Sequence, residues 1–113
     1  MVKSIEREAL KARLEAGVPT VLVEALPEKY YDHAHLPGAV RLNFDEVEAR
    51  AATVLPDRSL PLVVYCASDT CQNSHKAAAA LEALGYVDVS VYAGGKKDWI
   101  EAGLPIVSRR EAA

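Results

Sequence analysis

The chain has 113 residues, half of them hydrophobic and 26% charged, proportions that argue against disorder and against a membrane-spanning segment. That length suits one domain, residues 1–113, with a core large enough to hold without metal or disulfide staples. A net charge of -3 and the lack of a long Lys/Arg run argue against nucleic acid, since Arg109-Arg110 is too short to track phosphates.

The first residues, Met1 to Glu8, lack an apolar signal core, so the cytoplasm is the expected compartment. Ser4 is placed to cap a helix running to about Gly17, with Ile5, Ala9, Ala12 and Ala16 on one face and Leu10 and Leu14 beside them. Thr20 to Glu24 is a short continuous apolar run, the pattern of a strand buried on both faces. Pro27 to Tyr31 suits a helical turn, and His35-Leu36-Pro37-Gly38 turns the chain into a brief strand over Ala39 to Leu42. Asn43 is placed to cap a helix from Phe44 to Ala52.

After a loop at Pro56 to Ser59, Leu62 to Tyr65 is a second strongly apolar strand. It delivers Cys66 into the polar loop Ala67-Ser68-Asp69-Thr70-Cys71-Gln72. Asn73 or Ser74 then suits the cap of a helix through Leu84, with Ala77, Leu81 and Leu84 on one face and Gly85 closing it. Val87 to Tyr92 alternates as a strand does, and Gly94-Gly95 leads into a short helix that contains Trp99 and ends before Gly103 and Pro105. Strands separated by helices require crossover connections. The expected fold is therefore α/β, a small, mainly parallel sheet flanked by helices.

Ligands of such sheets bind beyond the carboxyl ends of the strands, where Cys66 stands. A thiol reacts as its thiolate, which backbone N–H groups and a helix N-terminus stabilise, so Cys66 is the candidate nucleophile. The bland alternative is a small buried hydrophobe at the end of a core strand. In a reducing compartment, Cys66 and Cys71 point to catalysis, redox chemistry or metal binding more than to a structural bridge, although their spacing permits a local disulfide. His35 suits a hydrogen bond across its turn, and Trp99 a core anchor. Arg41 is placed to face either a salt-bridge partner or the active-site mouth.

Three motifs in order carry a family resemblance: His35-Leu36-Pro37-Gly38-Ala39, Val63-Val64-Tyr65-Cys66, and Gly94-Gly95 with Trp99 and Gly103-Leu104-Pro105. On them the chain resembles the single-domain members of the rhodanese family of sulfurtransferases over most of its length. The resemblance implies a sheet of about five strands with helices on both faces. It also implies a persulfide on Cys66 during turnover, formed from a small sulfur donor and passed to a thiol or another nucleophilic acceptor, a protein thiol included. No cofactor or metal is required for that chemistry. Residues Ala67, Ser68, Asp69, Thr70, Cys71, Gln72, Asn73 and Ser74 are the expected substrate-binding loop, with its backbone N–H groups and the Ser68 and Thr70 hydroxyls as anion donors.

The loop departs from the family's usual Cys-x2-Gly-x-Arg-Ser pattern. It is two residues longer and has no arginine, Cys71 stands at the arginine's ordinal place, and Asp69 adds a negative charge. A persulfide donor is therefore expected in preference to thiosulfate. The Cys-x5-Arg loop of related phosphatases and arsenate reductases is also absent, because Gln72 occupies the arginine's place. Three other readings stay open. Cys66 and Cys71 form the pair of a thiol redox enzyme or sensor, with Cys71 resolving. Cys66, Cys71 and His75 bind a metal. Or the domain is a catalytically silent interaction module.

Overall fold

The computed structural model describes residues 2–108, so Arg109 and Arg110 lie outside it. In chain order the elements are β1 (Lys3–Ser4), α1 (Arg7–Glu15), β2 (Val21–Glu24), α2 (Glu28–His33) and β3 (Val40–Arg41), then α3 (Val47–Val54), β4 (Leu62–Tyr65), α4 (Asn73–Ala83), β5 (Val89–Tyr92) and α5 (Gly95–Glu101). All strand pairs are parallel, in the order β1-β5-β4-β2-β3. The strand that leads into Cys66 is thus central, with Val21–Glu24 in register against Leu62–Tyr65 and Leu62–Tyr65 against Val89–Tyr92.

Both faces of this sheet are covered, which is why its strands read as unbroken apolar runs. Val23, Leu62, Val64, Val89 and Val91 pack under Val47 and Ala51 of α3 and Ala77, Ala78 and Leu81 of α4. The alternate residues Leu22, Val63, Tyr65 and Tyr92 face the other way, against Leu10 of α1, Leu36 and Trp99 of α5. Trp99 is a core residue, as expected, and its indole N–H donates to Pro105 O at 2.7 Å. Among the described residues no helix is long and apolar enough to cross a membrane.

Several boundaries differ from the sequence reading: β5 begins at Val89 rather than Val87, and the starts of α1 and α3 are displaced. Ser4 caps no helix; Lys3 and Ser4 pair with Ser90 and Val91, Ile5 N–H donates to Val91 O at 3.0 Å, and α1 begins at Arg7. The open edge of β5 offers that segment backbone ladder bonds on one side, which a single side-chain cap does not match. The helix expected from Phe44 begins as a 3-10 turn over Phe44–Glu46 before α3 proper, with Asn43 Oδ1 accepting from Phe44 N–H at 2.9 Å.

A buried polar network ties the layers together beneath the central strand. Glu24 is fully buried at the end of β2. Its Oε1 accepts from the Tyr65 hydroxyl at 2.9 Å, and its Oε2 accepts from Lys96 Nζ at 3.2 Å. The ammonium's other two donors go to Tyr30 O at 3.0 Å and Ala34 O at 2.8 Å, so all three are used. Leu36 N–H in turn donates to the Tyr65 hydroxyl at 3.1 Å, which fixes the turn after α2. Burial pushes the Glu24 carboxyl above its ordinary pKa, while Lys96 and Tyr65 pull it the other way. Burial and the Glu24 charge likewise raise the Tyr65 phenol, keeping it a neutral donor.

A buried pair of this kind is costly to break by halves. Lys96→Met is expected to lower unfolding free energy by about 3–5 kcal/mol, because it strands the Glu24 carboxylate. The double variant Glu24→Leu/Lys96→Met, which removes the stranded charge, is expected to lose less. Equilibrium urea unfolding checks both, and a single variant within about 1 kcal/mol of the parent would contradict the account.

Candidate active site

The central strand ends at Tyr65, and the next residue, Cys66, is 1% exposed. The following loop folds back on it through a turn in which Cys71 N–H donates to Ser68 O at 3.1 Å. α4 starts immediately afterwards and points its N-terminus at the cysteine. Cys66 Sγ lies 3.4 Å from Ser74 Oγ, on the second residue of the helix, and 3.4 Å from the Cys71 carbonyl oxygen. Ser74 shares the buried helix face with Ala77, Ala78 and Leu81, at spacings of three, four and seven residues. With Cys66 as a thiolate, the serine hydroxyl becomes a donor to it, and the helix N-terminus adds its positive end. The sulfurs of Cys66 and Cys71 are in bonding contact as a disulfide, with Cα atoms 6.4 Å apart.

The far side of the loop rests on α5. Gly95 has φ +68°, and a Cβ there would stand 2.5 Å from Cys66 O and 2.9 Å from Ser68 N. Only glycine allows this approach and this backbone conformation. Because the chain comes so near, Lys96 N–H donates to Cys66 O and Lys97 N–H to Ala67 O, each at 2.9 Å. Lys96 therefore braces the loop with its backbone while its side chain joins the network around Glu24. Its partners Glu24 and Lys96 lie 72 positions apart, so no local spacing announced the pair.

The expected anion donors are distributed differently from the sequence reading. Ser68 Oγ and Thr70 Oγ1 lie 3.0 Å apart at the surface and bond each other rather than the sulfur. The Cys71 N–H is engaged by Ser68 O. Neither Asn73 nor Ser74 caps α4: the N-cap residue is Gln72, without a side-chain bond, since the helix begins one residue earlier. Asn73 Nδ2 instead donates to Asn43 Oδ1 at 3.4 Å, and Ser74 turns inward to the sulfur. Ala67, Asp69, Thr70 and Gln72 are exposed around the rim, while Ser68 and Cys71 are half-buried. Asp69, Lys97, Asp98, Gly94 and Glu101 line a small cleft of about 150 Å³ beside the loop.

Two cations that lie near the site in sequence or fold are turned elsewhere. Arg41 takes the salt-bridge alternative, forking Glu46 and donating to Leu26 O at 3.2 Å, and it holds the Glu46 carboxyl down at about 2. Lys76 Nζ sits 5.0 Å over the Phe44 ring. His35 bonds across its turn as expected, with Nδ1 2.8 Å from Tyr31 O and its ring stacked on that tyrosine. Among the described residues, no group of three or more His, Cys, Asp or Glu is arranged to hold a metal ion, so Cys66, Cys71 and His75 do not form a cluster.

Comparison with known proteins agrees with this architecture. The profile of the Rhodanese-like domain matches residues 6–102. A sulfurtransferase of Allochromatium vinosum is 32% identical over 108 residues, 96% of this chain and 97% of that protein. An HTH-type transcriptional regulator of Mycobacterium tuberculosis is 33% identical over 103 residues, 91% of this chain, which spans only 44% of the regulator's length. Among solved structures, a thiosulfate sulfurtransferase from Pseudomonas aeruginosa superposes with a TM-score of 0.81 at 27% identity, covering 94% of this chain and 20% of that one.

The tightest contact of the site supplies its own check. Gly95→Ala is expected to cost about 1–3 kcal/mol of stability for the left-handed conformation alone. It also pushes the Cys66 carbonyl off the Lys96 N–H and so shifts Sγ from its place beside Ser74 and the α4 N-terminus. In the reduced protein at neutral pH, alkylation of Cys66 by iodoacetamide is expected to slow by about tenfold, the equivalent of losing the Ser74 hydrogen bond to the thiolate. Unchanged stability together with an unchanged alkylation rate would mean that the loop does not depend on this approach.

Proposed function

The chain belongs to the rhodanese-like domain family, related to sulfurtransferases, and from that premise we propose that it moves sulfane sulfur through a persulfide on Cys66. The observation that carries the reading is the environment of Sγ. It stands at the carboxyl end of the central strand, against the N-terminus of α4 and 3.4 Å from the Ser74 hydroxyl. In the first half-reaction, the Cys66 thiolate attacks the sulfane sulfur of a donor. The new bond is Sγ to sulfur; the donor's own bond to that sulfur breaks, and the donor departs with the electron pair. In the second half-reaction, an acceptor thiolate attacks the outer sulfur, and Cys66 leaves as thiolate. Both half-reactions place negative charge at or next to Sγ, where Ser74 and the helix N-terminus stabilise it.

The absence of an arginine from the loop favours one class of donor. A charge-assisted hydrogen bond is worth about 1.5–3 kcal/mol, so its lack costs about tenfold to a hundredfold in steps that bind a sulfonate group. Thiosulfate presents such a group beside the reacting sulfur. Glutathione persulfide does not. Arg41 and Lys76 are held by Glu46 and Phe44, and Asp69 sits on the rim, which adds to the preference. Lys97, exposed on the first turn of α5, lines the same cleft as Asp69 and so faces a carboxylate there.

Steady-state transfer by the reduced protein, with each donor in turn, tests this reading. Cys66→Ser is expected to abolish transfer from both donors, and Ser74→Ala to lower kcat/KM by about tenfold through the lost donor to the thiolate. Glutathione persulfide is expected to exceed thiosulfate by about tenfold or more in kcat/KM. Transfer that survives Cys66→Ser would overturn the nucleophile; equal efficiency with thiosulfate would overturn the donor preference alone.

A further inference from the structure

Cys71 is the one loop side chain in bonding contact with Cys66, and ordinary sulfur transfer makes no use of it. Three features place it there. The Ser68–Cys71 turn folds the loop back, the Cys71 carbonyl oxygen packs 3.4 Å from Cys66 Sγ, and the Cα separation of 6.4 Å lies inside the range that a disulfide spans. No strand or helix has to move for the two sulfurs to meet. The second thiol is therefore held in place as a neighbouring group, and its attack needs no encounter step.

We propose that Cys71 discharges the Cys66 persulfide internally, giving the protein a second activity, the release of hydrosulfide from sulfane donors. The proposal rests on the persulfide reading above. The Cys71 thiolate attacks Cys66 Sγ, the inner sulfur of the persulfide. A bond forms between the two cysteine sulfurs, the bond from Cys66 Sγ to the outer sulfur breaks, and the outer sulfur leaves with the electron pair and its proton as HS⁻. The Cys71 sulfur is oxidised and the departing sulfur is reduced, so no outside oxidant enters. The product on the protein is the Cys66–Cys71 disulfide, the bonded pair present in the structure. A dithiol reductant then restores the two thiols, and each such cycle carries two electrons from dithiol to sulfane sulfur.

The competing course is attack by Cys71 on the outer sulfur, which would move the persulfide to Cys71. The backbone favours the inner sulfur, because it holds the two cysteines at the spacing of a direct bond, with no sulfur between them. Transfer to an outside acceptor and internal discharge then compete for one intermediate. An acceptor that arrives quickly takes the sulfur as sulfane; without one, the sulfur leaves as hydrosulfide, and the site rests as a disulfide until it is reduced.

The test uses the intact protein, reduced, freed of reductant and loaded with glutathione persulfide, then desalted and left without an acceptor. Released sulfide is measured over time, and the cysteines are assigned by peptide mapping under non-reducing conditions. The expected result for the parent protein is one sulfide per loaded site, in step with formation of the Cys66–Cys71 disulfide. Cys71→Ser is expected to load at Cys66 and hold its persulfide at least about tenfold longer. A parent protein that keeps its persulfide while Cys71 stays a free thiol overturns the proposal, as does migration of the extra sulfur to Cys71. Failure of Cys66 to load in either protein would instead bring down the sulfur-transfer reading, and this proposal with it.

Discussion

The approach of Gly95 to the carbonyl of Cys66 is the contact on which the site's geometry rests. It brings the first N–H groups of α5 onto Cys66 O and Ala67 O, so the loop is fixed at its start by a helix that follows it by almost thirty residues. The same turn of α5 inserts Lys96 into the core, where Glu24, Tyr65 and two carbonyls of the α2 region satisfy it. Sheet, α5 and active loop are therefore one mechanical unit. The buried ion pair contributes less as net stability than as a fixed position, because desolvating both charges offsets much of their attraction. What it secures is the place of the backbone that carries Cys66.

Upon that rigid floor the rest of the loop is lightly held. Ser68, Asp69 and Thr70 form a polar surface turn whose hydroxyls bond each other, and only Cys71 and Ser74 turn back to the sulfur. Sulfur chemistry suits this division. A nucleophile needs a fixed origin and a stabilised charge, which the strand end and α4 supply. On the proposed reading, a sulfur added to Sγ would extend toward the polar turn of Ser68, Asp69 and Thr70. In the structure Cys71 is bonded to Sγ at that side of the loop.

Much of this was legible in the chain. The runs at Val21–Glu24 and Leu62–Tyr65 announce strands because both faces of the sheet are covered, and Leu62–Tyr65 points directly to Cys66. Helix starts were less legible, because tertiary pairing decided them: β5 recruits Lys3 and Ser4 as an edge strand, and the N-cap of α4 is Gln72, one residue before the first expected cap. That one-residue shift matters to the chemistry. It turns Ser74 from a capping residue into the neighbour of the sulfur, a role that its spacing to Ala77, Ala78 and Leu81 on the buried face would have signalled. The Glu24–Lys96 pair had no such signal. A carboxylate closing an apolar strand was visible, but its partner lies far along the chain, and only the fold joins them.

The central claim is that Cys66 is the atom that takes up sulfur. Its most direct test is peptide-resolved mass spectrometry of the reduced protein, quenched by alkylation within seconds of exposure to glutathione persulfide. The account predicts a single added sulfur on the peptide bearing Cys66, before any appears elsewhere. First appearance of the added sulfur on Cys71, or no covalent sulfur on either cysteine, would contradict it.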